Sequence, residues 1–176
     1  MVAIVSEKSK GNLKSVRQES DFLIIHSLED VVTEQTMEEL PLHITLLPKF
    51  RTMGCTAISG FVEATKDIEA IDAHVGDRQL GNTDYYGENY DVTVRGIVDE
   101  GAVSLMAIHM LFLARFRPDI YDLKYSGQRY HPHISIPTDK KDPGEGAKIC
   151  VDAACLMRKL EGGGYMVYAA DKFKSE

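Results

Sequence analysis

Two short segments, one closing the first quarter of the chain and one opening the last, constrain its fold more than any other feature. Residues 41–46 read Pro-Leu-His-Ile-Thr-Leu and residues 132–136 read Pro-His-Ile-Ser-Ile. Each alternates a histidine, an apolar residue, a hydroxyl and an apolar residue. In extended backbone, residues i and i+2 point to the same face. His43 and Thr45 therefore share one face, with Leu42, Ile44 and Leu46 on the other. His133 and Ser135 share a face, with Ile134 and Ile136 opposite. The apolar face anchors each strand in a core, and the polar face presents an imidazole beside a hydroxyl.

The rest of the chain supplies partners for such strands. Residues 21–28 (DFLIIHSL) read as a buried strand, as do 42–50, 90–98 with a bulge at Gly96, 129–137 and 165–170. Apolar spacing predicts helices over 31–40 (ended by Pro41), 55–71, 102–116 and 149–160. The helix at 102–116 is apolar enough to be buried and stops at Pro118. The stretch 76–90, rich in Gly, Asn, Asp and Tyr, reads as a hairpin or loop, and DPGEG at 142–146 as a turn. The mixture implies an α/β or α+β fold.

Charge narrows the partners. The net charge is −7, so the long-range field of the chain repels phosphates and anionic surfaces. Duplex DNA and membranes are poor partners, and a substrate carrying phosphate has to be held by a local pocket. That favours a small nucleotide or a strand end. No signal-peptide pattern is visible, because Glu7, Lys8 and Lys10 interrupt the apolar start. Three cysteines, Cys55, Cys150 and Cys155, with no CxxC pair, read as reduced thiols of a cytoplasmic protein.

The paired His–apolar–Thr/Ser segments resemble those of the 2H phosphoesterase superfamily, which includes LigT-like proteins, often called 2′-5′ RNA ligases, and cyclic nucleotide phosphodiesterases. The resemblance rests on His43 with Thr45 and His133 with Ser135 and on their separation; the remaining sequence is compatible without being diagnostic. It implies an α+β fold of two pseudo-symmetric βα lobes, with antiparallel sheets around a central cleft and residues 1–176 as one domain of two lobes. It also implies a phosphodiesterase that needs no metal or cofactor. Serine replaces threonine in the second motif and keeps the donor.

The residue types suit that chemistry. Phosphodiester cleavage needs a base for the nucleophile and an acid for the leaving oxygen, and histidine serves both near neutral pH. The hydroxyls of Thr45 and Ser135 can donate to non-bridging oxygens as charge builds. Which histidine is acid and which is base stays open. Strand parity would carry Arg129 and His131 to the same cleft, and Tyr85 and Tyr86 could stack on a base. A His131–His133 pair could ligate zinc, yet no third ligand follows by spacing. His26 and His109, inside apolar runs, read as hydrogen-bonded core residues, and His74 as a solvated loop residue. The substrate classes that fit are 2′,3′-cyclic phosphate ends, 2′-5′ linkages, ADP-ribose cyclic phosphate and cyclic oligonucleotide signals. The rival reading is a protein of the same fold that binds nucleotides or RNA ends without turnover.

Overall fold

The computed structural model describes residues 17–80, 93–120, 123 and 126–175. Among these residues nine strands form one sheet in the order β2-β9-β8-β1-β3-β6-β5-β4-β7, and neighbouring strands run antiparallel throughout. In chain order these are β1 (Glu19–Ser27), β2 (Thr36–Met37), β3 (His43–Met53), β4 (Ile71–Leu80), β5 (Thr93–Val98), β6 (His133–Ile136), β7 (Lys148–Val151), β8 (Ala153–Lys159) and β9 (Tyr165–Lys172). Helix α1 (Gly54–Thr65) follows β3 directly, and α2 (Asp99–Phe116) follows β5 directly.

The sheet has two halves. β3, β1, β8 and β9 form one ladder series, and β6, β5, β4 and β7 the other. They meet where β3 lies beside β6, paired at Ile44 and Ile134. Among the described residues the fold is α+β, with a curled antiparallel sheet and two α-helices.

The alternation read from the sequence explains how the strands sit. Ile44, Leu46 and Ile134 are fully buried, and Ile136 nearly so. They join a core with Phe50, Phe61, Phe112 and Phe116, contributed by β3 and the two helices. Close approaches lock that layer. A Cβ on Gly101 of α2 would stand 2.7 Å from the Ala73 Cα of β4, and one on Gly60 of α1 would stand 2.7 Å from the Phe116 ring. A second, smaller cluster of Leu23, Ile25, Cys155, Met157 and Val167 is covered by Val31, Met37 and Leu40. Strands β1 and β8 thus bury side chains of both parities.

That double burial accounts for one correction. Residues 149–160 form β7 and β8 and not a helix. A continuous apolar run such as Ala153–Met157 has no period that separates a buried strand from a buried helix. Residues 31–40 are also not helical. The Glu34 N–H donates to the Val167 carbonyl and the Val167 N–H to that of Gln35, so the edge of β9 takes the backbone groups a helix would use. Helix α1 ends at Thr65, short of 71. Beyond it Ile71 starts β4, which places His74 on a strand, exposed. The residues that read as a hairpin or loop from 76 begin inside β4, which pairs with β5 as far as Leu80 and Thr93. The bulge expected at Gly96 lies opposite it, on β4 between Val75 and Arg78.

Candidate active site

The pairing of Ile44 with Ile134 sets the register of the two motifs. Extending that antiparallel register by one residue each way puts His43 across from Ser135 and Thr45 across from His133. Side chains directly opposite in such a ladder share a face. The four motif residues therefore belong to the face away from Ile44 and Ile134. All four are half-buried, whereas Ile44, Leu46, Ile134 and Ile136 between and beside them are buried.

The two imidazoles are held in the same way. His43 Nδ1 lies 2.7 Å from the Pro41 carbonyl oxygen, and His133 Nδ1 lies 2.8 Å from that of His131. A carbonyl only accepts, so Nδ1 is the protonated nitrogen in each neutral ring, and Nε2 is the one that titrates. In both motifs the accepting carbonyl belongs to the residue two positions upstream. Burial pushes the pKa of His43 down, the hydrogen bond to Pro41 opposes this, and the positive charge of His133 lowers it further. Burial also lowers that of His133, against its bond to His131. The two rings thus feel one another's charge, and simultaneous protonation is disfavoured.

A buried network braces both motif strands. His109 of α2 donates from Nδ1 to the Leu46 carbonyl at 2.8 Å, while its Nε2 accepts from the Gly127 N–H at 2.9 Å. Its ring stacks on Tyr130, centroids 3.9 Å apart and planes 8° from parallel. The Tyr130 hydroxyl donates to the Thr45 carbonyl at 2.7 Å. One histidine and one tyrosine thus connect β3, α2 and the turn that leads into β6. The reading of His109 and His26 as hydrogen-bonded core residues holds, since both are buried and His26 Nδ1 meets the Ala153 carbonyl at 2.9 Å. Nothing in the sequence pattern marks Tyr130.

A second brace crosses beside the first motif. The Lys140 ammonium donates to both carboxylate oxygens of Glu29, at 2.9 and 3.2 Å, and one of these also accepts from the Leu42 N–H. The segment after β6 is thereby tied to the backbone that immediately precedes His43.

The remaining candidate residues fare differently. Strand β6 begins at His133, so the strand expected over 129–137 starts late and parity does not extend to Arg129 or His131. Arg129 closes a 3-10 turn (Gly127–Arg129) and is exposed, as is His131. His131 still senses His133: burial and then that neighbouring charge lower its pKa. Tyr85 and Tyr86 lie outside the described residues. Among the described residues no group of three or more His, Cys, Asp or Glu side chains is arranged to hold a metal ion. Also among them, no helix is long and apolar enough to cross a membrane.

Comparison with solved structures identifies the fold. The chain superposes on E. coli LigT complexed with 3′-AMP with a TM-score of 0.63 and 13% identity, covering 89% of this chain and 99% of that one. A structure described as a phosphoesterase gives 0.62 at 12% identity over the same shares. The protein TT0787 of Thermus thermophilus gives 0.56 at 13% identity, again covering 89% and 99%. No family model matches the sequence, and no curated protein matches it. The fold is that of E. coli LigT and of these neighbours.

Proposed function

We propose that this protein is a phosphodiesterase that cleaves a nucleotide or RNA-end phosphodiester by paired-histidine acid–base catalysis. The observation that carries the reading is the matched tethering of His43 and His133. Each ring bonds through Nδ1 to the carbonyl two residues upstream, which fixes the tautomer and directs proton transfer to Nε2. One neutral Nε2 takes the proton of the attacking hydroxyl or water. The other, protonated, gives its proton to the leaving oxygen, and the roles can exchange in a following step. Thr45 and Ser135 donate to the non-bridging oxygens, whose charge rises in the transition state.

The nucleotide class is supported by the fold neighbours. E. coli LigT has been solved with 3′-AMP, with NADP+ and with ATP. The acidic net charge of this chain argues for a compact ligand over a polynucleotide track. A panel of 2′,3′-cyclic phosphates, 2′-5′-linked oligonucleotides, ADP-ribose cyclic phosphate and cyclic oligonucleotides, incubated with the protein in EDTA and analysed by mass spectrometry, tests the proposal. The expected result is conversion of at least one compound with a gain of one water or a cyclic phosphate product. Binding of these compounds without turnover would favour the non-catalytic reading, and activity that appears only when a divalent ion is restored would overturn metal-independent chemistry.

A further inference from the structure

Helix α2 has two apolar faces, and only one of them is buried. Its inner face carries Leu105, Ile108, Phe112 and Phe116 into the core. No charged residue occurs between Glu100 and Arg115, so the outer face is apolar as well. There Val103 is 72% exposed and Met110 45%. A helix that is apolar all round is ordinarily enclosed, and the apolar run 102–116 predicts such a helix. The outer residues are not scattered. Val103, Ala107, Met110 and Ala114 follow one another at spacings of four, three and four, the seam of a helix that packs on another helix. Glu100 lies three residues before the seam within α2, and Arg117 lies three residues after it, in the 3-10 turn (Arg117–Asp119) that directly follows the helix; both are exposed.

We propose that this face is where a second copy of the chain docks, the two α2 helices packing antiparallel about a twofold axis. The seam is self-complementary in that arrangement. A twofold that sets Ala107 against Met110 of the other copy also sets Val103 against Ala114 and Glu100 against Arg117. Each apolar position then meets an apolar one, and each acidic end meets a basic end, twice over by symmetry. The parallel arrangement would set Glu100 against Glu100 and Arg117 against Arg117. An anionic membrane is a worse occupant, because the chain carries a net −7. The histidine motifs lie on the opposite face of the sheet from the helices, so the docking leaves them open. One helix pair is a small interface, which makes the dimer one of modest affinity.

Sedimentation velocity of the full chain from low to high micromolar concentration tests this, with far-UV circular dichroism to verify folding of each variant. Wild type should shift from monomer to dimer as concentration rises. Met110→Glu should abolish the shift. Glu100→Arg alone and Arg117→Glu alone should each weaken the dimer by at least about tenfold, because each creates two like-charge contacts. An equimolar mixture of those two variants should recover wild-type association, since every facing pair is then opposite in charge. Wild type that stays monomeric throughout would overturn the proposal. So would reversals that leave the dimer intact, or a mixture that fails to recover it.

Discussion

The Tyr130 hydroxyl donates to the Thr45 carbonyl at 2.7 Å, so the turn before the second motif is bonded to the centre of the first. Burial raises the Tyr130 pKa, which keeps the phenol protonated and donating. Tyr130→Phe retains the stacking on His109 and deletes only this bond. It should lower unfolding free energy by about 1 kcal/mol, seen as a lower urea midpoint at unchanged slope. An unchanged midpoint would show that the bond contributes nothing to the brace.

Replacement of either motif histidine probes the proposed chemistry. His43→Ala and His133→Ala should each reduce kcat by about 100-fold or more on the best substrate. The double variant should be far from multiplicatively worse, because the pair acts as a unit. His131→Ala is the control and should alter KM more than kcat. Wild-type kcat in either single variant would end the two-histidine mechanism.

The hydroxyls make a separate case. Thr45→Val and Ser135→Ala should each lower kcat by roughly 10–1000-fold, the cost of losing one transition-state donor. Thermal midpoints should change little, since both side chains are only half-buried. Full activity in both variants would remove them from the site.

The pH dependence has a sign fixed by the surroundings of the rings. Burial holds both motif histidines below their ordinary 6.5, and His133 depresses His43 further. kcat/KM reports the free enzyme, so its bell should be centred on the acidic side of 6.5. A bound phosphate favours imidazolium, so the kcat bell should lie at higher pH. A kcat/KM that climbs steadily through alkaline pH would contradict an acid–base pair of these histidines.

Stability should follow the same groups. His26, His43, His109 and His133 all have folded-state pKa values lowered chiefly by burial. Well above 6.5 both folded and unfolded states hold these rings neutral, and stability does not depend on them. As pH falls through 6.5 the unfolded chain takes up protons that the folded chain resists, so unfolding becomes easier. Denaturant midpoints should therefore fall between pH about 7.5 and about 5.5, before the carboxylates titrate. A midpoint that rises over that interval would refute the assignment.

What the sequence made legible was whatever has a period. The alternation in 42–46 and 133–136 reveals both motif strands and the faces of their side chains, since only a half-buried strand writes its burial as every second residue. Ala153–Met157 is buried on both faces and writes no such pattern, so β8 passes for part of a helix. Residues 31–40 owe their path to contacts with β9 that are distant in sequence. Tyr130 is placed by its bond to Thr45, and a tyrosine between Arg129 and His131 carries no local sign of it. The outer face of α2 is legible as apolar, but its exposure is not, because apolarity alone predicts burial.

An open sheet ends in two strands whose outer backbone groups can recruit another chain. Among the described residues those ends are β2, with two residues, and β7, with four. Neither offers more than a few rungs, and β7 opens with Lys148, held in an ion pair with Asp72. Strand addition gains by the length of edge it covers. The long, apolar strands most prone to it, β1 and β3, lie in the interior of the order, β1 between β8 and β3, and β3 between β1 and β6, which it meets at Ile44. The strand order that brings the two histidine motifs together thus also guards the folded protein against edge-to-edge aggregation.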